Sequence, residues 1–142
     1  MSFYKNIIFY ALLVLILNSC KKDKNEANIN ETYQVKINSG ECSGENKDIV
    51  VLFFESDFDD DLIEVTTNEH KSFEGRITTD NTLGLAKEIS LGEIANIKQI
   101  SFKINKGKPV VLDDLNCSFI SINYIKGNVV TVDFSNKFIS YN

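Results

Sequence analysis

From residue 31 onward, hydrophobic residues recur at every second position in short runs. Tyr33, Val35 and Ile37 alternate with Gln34, Lys36 and Asn38, and Ile100, Phe102 and Ile104 alternate with Gln99, Ser101 and Lys103. Successive side chains of a strand point to opposite faces, so each run predicts a strand with one buried face. Residues 49–54 (IVVLFF) are apolar at both parities, which predicts a central strand covered on both sides. Further strands are expected at 62–67, at 72–78, where Gly75 suggests a bulge or a close approach, and at 110–112, just past the sole proline, Pro109. Residues 86–94 read as a short strand followed by a helical turn, and 138–141 as a last short strand. Residues 119–125 and 129–134 form a hairpin through Gly127-Asn128, a pair suited to the positive φ of tight turns. With turn residues about every ten positions and no amphipathic helix of useful length, the pattern predicts an all-β domain. The expected architecture is an antiparallel β-sandwich of about eight strands, with a small barrel as the alternative. Its expected core is Val35, Ile37, Val51, Phe53, Ile63, Val65, Ile100, Phe102, Ile120, Ile122, Val130 and Val132.

The first thirty residues follow a different pattern. Lys5 is followed by an uncharged run over 7–17 (IIFYALLVLIL), which stops at Asn18-Ser19-Cys20 and a lysine-rich stretch, Lys21-Lys22-Asp23-Lys24. A membrane-spanning helix needs about 20 apolar residues, whereas the apolar region of a signal peptide needs about 7 to 15. The run fits the shorter class; the alternative is an uncleaved N-terminal anchor helix. Leu17-Asn18-Ser19-Cys20 resembles the lipobox of bacterial lipoproteins, with Leu three residues before the cysteine and a small residue one before it. Asn18 stands where Ala or Ser is more usual. The resemblance implies a leader over 1–19 that is cut after Ser19, diacylglycerol on the Cys20 thiol and acylation of the new amino group. It also implies a position in the cell envelope, at the outer membrane, facing the periplasm or the surface. One acyl chain holds a protein to a membrane only marginally, at about 0.8 kcal/mol per buried methylene, and two or three give stable residence.

Residues 21–30 (KKDKNEANIN) are polar and poor in bulky apolar side chains, so 20–30 read as the lipidated cysteine and a flexible tether, with the domain over 31–142. Losing Lys5 with the leader leaves 14 of the 15 basic residues against all 20 acidic ones, taking the formal net charge from −5 to −6. An acidic domain without a basic cluster has no means of neutralising phosphates, which excludes nucleic acid as the expected partner. Besides Cys20, the chain has two cysteines, Cys42 and Cys117. An even pair in an exported chain predicts a disulfide, the alternative being two small buried free thiols.

Candidate chemistry is sparse. His70, the single histidine, lies in the polar link Asn68-Glu69-His70-Lys71, and no serine sits in a nucleophile elbow. Cys42, Cys117 and His70 lack the paired spacing of zinc ligands. Asp57, Asp59 and Asp61 occupy the first, third and fifth positions of a calcium-loop pattern, but Leu62 replaces the glycine at position six and Asn68 the glutamate at position twelve. The expectation is therefore a non-enzymatic, membrane-tethered domain with no resident cofactor, which binds a protein or small ligand or serves an envelope-structural role. Two alternatives stand beside it: an inhibitor or immunity-type protein whose acidic face (Asp57, Asp59, Asp60, Asp61) meets a basic partner, and a calcium-binding envelope domain.

Overall fold

The computed structural model describes residues 32–38, 40, 42, 49–113, 115–125, 128–137, 140 and 141. The leader, Cys20 and the tether lie outside the described residues. Nine strands follow in chain order: β1 Gln34–Asn38, β2 Ile49–Phe54, β3 Asp61–Thr67, β4 His70–Ile77, β5 Lys87–Glu93, β6 Ile100–Ile104, β7 Val110–Leu112, β8 Phe119–Ile125 and β9 Val129–Ser135. A single turn of 3-10 helix, Ile94–Asn96, follows β5. They form a five-stranded sheet in the order β1-β9-β8-β2-β5 and a four-stranded sheet in the order β4-β3-β6-β7. Neither sheet closes on itself, so the fold is a β-sandwich and not a barrel.

The expected antiparallel sandwich is formed, with two parallel pairs within the five-stranded sheet. The β8–β9 hairpin is inserted between β1 and β2, which run in opposite directions, so β9 lies parallel to β1 and β8 parallel to β2. The remaining pairs are antiparallel. The expected last strand at 138–141 is not formed at Ser140 and Tyr141, and residues 138 and 139 lie outside the described residues.

The core between the sheets is built from Val50, Leu52 and Phe54 of β2, Ile63 and Val65 of β3, Ile100, Phe102 and Ile104 of β6, Ile120 and Ile122 of β8, and Val130 and Val132 of β9. Two corrections to the expected core follow from strand position. On β2 the core-facing set is Val50, Leu52 and Phe54; Val51 is only half-buried, and Phe53 is fully buried but on the outer face of its sheet, against Phe119 and Tyr141. Because both parities of IVVLFF are apolar, period two carries no information about which face is inward. On β1, Val35 is 41% exposed and Ile37 54%, although both align in register with the fully buried Val130 and Val132 of β9. β1 is the terminal strand of the five-stranded sheet, and β4 and β5 touch at the opposite side. Matching the two sheets from that side sets β9 over β7 and leaves β1 with no described strand facing it.

Candidate functional site

The acidic loop between β2 and β3 does not gather its carboxylates. Asp57 and Asp60 adopt left-handed backbone angles, φ 67° and 55°, which turn the chain twice. Asp61, at the start of β3, has both carboxylate oxygens engaged: the Asn105 side-chain amide donates to Oδ1 at 2.7 Å and the Asp59 backbone N–H to Oδ2 at 2.9 Å. Asn105 also accepts the Leu62 N–H at 2.9 Å, tying the β6–β7 turn to this loop. Asp60 pairs with Arg76 at 3.1 Å, and Asp57 and Asp59 are exposed. Among the described residues, no three of the histidine, cysteine, aspartate and glutamate side chains come together to hold a metal ion. His70 opens β4 just past the two-residue turn and is exposed.

Cys42 and Cys117 are brought together at disulfide distance, with Cα atoms 5.2 Å apart and a separation of 75 positions in sequence. Cys117 is fully buried and Cys42 half-buried. Asn136 reinforces the junction: its amide donates to the Cys42 carbonyl at 2.7 Å, and its side-chain oxygen accepts the Ser118 N–H at 3.0 Å. Gly40 passes so close to β9 that a Cβ there would lie 1.7 Å from the Phe134 carbonyl oxygen. Only glycine allows that approach.

This junction forms one end of a groove of about 500 Å³, lined by Ile37, Gly40, Cys42, Val111, Leu112, Asp113, Asn116 and Phe134. Ile37 and Phe134 come from the five-stranded sheet, Val111 and Leu112 from β7, the edge of the other. The groove is therefore the open side of the sandwich, beneath the overhanging β1. At the other end of β1, the Tyr33 hydroxyl donates to the Lys108 carbonyl just before β7 and bridges the two sheets. The walls are largely apolar, with Ile37 54% and Val111 45% exposed. Asp113 stands at the rim, where Gln99 donates to its Oδ1 at 2.7 Å. Pockets of this volume, apolar with a few polar groups, are the usual form of ligand sites.

A second constellation was not visible in the sequence. The Glu55 carboxylate, at the end of β2, accepts Ser121 Oγ at 2.9 Å, Asn123 Nδ2 at 3.0 Å and the Tyr141 hydroxyl. Burial first, then the neighbouring Glu55 carboxylate, push the Tyr141 hydroxyl well above the usual tyrosine range. The Tyr141 ring lies over Phe53 with centroids 5.5 Å apart, so the cluster fastens the end of the chain over the outer face of the five-stranded sheet. Its four members are scattered across the sequence, and no spacing links them.

No known protein family, curated protein or solved structure matches the chain. The class defined by the described residues is thus that of the fold, a mixed two-sheet β-sandwich with one side left open.

Proposed function

We propose that the protein is a non-catalytic binding module, held at the cell envelope by lipid on Cys20, and that its contact surface is the groove between β1 and β7. The observation that carries this reading is the exposure of Ile37 and Val111, which line an apolar cavity, with the exposed Val35 next to Ile37 on the same face of β1. Scattered single hydrophobics on a surface are ordinary, but a contiguous apolar rim around a concavity marks an interaction site. Val35 and Ile37 carry the inward parity of β1, and no described strand of the other sheet faces them.

The tether suits this role. Residues 21–30 would reach about 33–36 Å when extended, enough to hold an acidic domain clear of anionic headgroups. A disulfide between Cys42 and Cys117 would fix the wall of the groove in an oxidising compartment. The acidic-face alternative has less support, since Asp60 is paired with Arg76 and Asp61 is held by Asn105.

The test is site-specific photo-crosslinking in intact cells, with protease shaving to show which side of the outer membrane the domain faces. A crosslinking side chain at position 37 is expected to capture a discrete neighbour, while the same group at Thr131 on β9 captures none above background. Equal capture from both positions would remove the groove as the contact surface.

A further inference from the structure

The outer face of the five-stranded sheet carries a group of side chains that shares no residue with the groove. Its floor is Phe53 of β2, fully buried, with the Phe119 ring of β8 at a centroid distance of 6.0 Å. Ser121 lies beside Phe53 in register, and Asn123 follows on the same face of β8. These two side chains hold the Glu55 carboxylate in place. Ser121, only 6% exposed, donates to Oε1 at 2.9 Å, and Asn123 donates to Oε2 at 3.0 Å. Floor and donors belong to β2 and β8, paired inside the sheet, and Glu55 directly follows β2.

Tyr141 shows what fits against this group. It lies beyond β9 and in no strand, so its ring is an addition to the sheet and not a part of it. The ring sits over Phe53 with centroids 5.5 Å apart, and the hydroxyl donates to the same Glu55 Oε1 that accepts Ser121. An ionised carboxylate only accepts hydrogen bonds, so an occupant must bring a donor. Glu88, aligned with Phe53 on β5, adds a negative charge near the hydroxyl and disfavours an anion there. An alcohol would satisfy the carboxylate and a plain aromatic ring the floor; a phenol does both.

We infer that the outer face of the five-stranded sheet is a phenol-binding site, with Phe53 as its floor and Glu55 as its acceptor, which Tyr141 fills from within the same chain. As a tethered group, Tyr141 competes at the high local concentration of a linked ligand. A phenol from elsewhere therefore enters only when Tyr141 is out of the site.

The experiment is an NMR titration of the full chain carrying Tyr141→Gly. The probe is p-cresol, and its methyl ether, 4-methylanisole, is the control that lacks a donor. p-Cresol is expected to bind Tyr141→Gly with a dissociation constant of about 1 mM, the scale of a ligand this small, and to shift the amide signals of Phe53, Ser121 and Asn123. The wild type should bind it at least about ten-fold more weakly, the factor lost when about a tenth of the molecules or fewer are open. The ether should bind Tyr141→Gly about ten-fold more weakly than p-cresol does, having no hydrogen bond to give the carboxylate. If Tyr141→Gly does not fold, Tyr141→Phe serves in its place: the ring stays without its hydroxyl, so p-cresol should displace it more readily than in the wild type and produce the same shifts. No binding to the folded variant, binding no tighter than to the wild type, equal binding of the ether, or shifts confined to other residues overturns the assignment.

Discussion

Asn68 and Glu69 occupy both central positions of the β3–β4 turn, at φ 49° and 68°. A two-residue hairpin needs positive φ at both, which asparagine tolerates and glycine prefers, while a Cβ in the left-handed region costs about 1–2 kcal/mol. Asn68 is useful there beyond its backbone: its side chain donates to the Asn96 carbonyl at 2.7 Å and accepts the Lys98 N–H at 2.8 Å, binding the turn to the chain ahead of β6. Glu69 has no such compensation in its exposed position. Glu69→Gly is therefore expected to stabilise the protein by about 1 kcal/mol in urea unfolding, whereas Asn68→Gly should destabilise it by removing those bonds. Tyr141 gives a second residue-level expectation. Its hydroxyl titrates higher in the folded protein than the ordinary value near 10, so its contribution is fully present below about pH 10 and is lost as pH rises beyond. Urea midpoints followed from pH 8 to 11.5 should fall more steeply for the wild type than for Tyr141→Phe, which has no proton to lose there.

At the level of elements, sequence pattern fixed most strands and left their faces open. The alternations of β6 and β9 and the turn at Asn128, φ 63°, are local properties and were legible. The Gly75 close approach was also legible, since a Cβ there would come within 3.0 Å of the Phe73 ring, although the β3–β4 irregularity lies at Val65 and Thr66. The inward parity of β2 was not, because Val50, Leu52 and Phe54 are no more apolar than Val51 and Phe53. Nor was the exposure of β1, which depends on a sheet order that puts an N-terminal strand beside the C-terminal one. The Glu55 cluster needed β2, β8 and the end of the chain to meet, and the groove needed the edges of two sheets; neither leaves a mark in one stretch of sequence. The Cys42–Cys117 pairing was accessible from cysteine count and the expected export once Cys20 was set aside, and it belongs to this scale because it joins the loop after β1 to the segment just before β8. Closing a loop of that length contributes about 4–5 kcal/mol in the chain-entropy model. Reduction is accordingly expected to lower the unfolding free energy by up to that amount, measured by urea titration with and without a dithiol, with the core between the sheets retained.

At the scale of the whole molecule, a sandwich of five strands against four cannot cover both inner faces along its full width. The uncovered strip coincides with the apolar rim of the groove, and the proposed contact surface follows from that geometry. The direct question is whether the β1 side chains are left open or are covered by the chain's own residues. Ile37 and Val132 are neighbours in register with the same inward parity, one 54% exposed and the other fully buried. Placing threonine at each keeps the β-branch and puts a hydroxyl where Val132 has a methyl and Ile37 an ethyl group. The deciding measurement is the urea unfolding free energy of the full chain carrying Ile37→Thr, with Val132→Thr as reference. An open β1 predicts a change within about 0.5 kcal/mol for position 37 against a loss of about 1–3 kcal/mol for position 132. A loss at position 37 as large as that at position 132 would mean that the groove is filled from within, and would contradict the account.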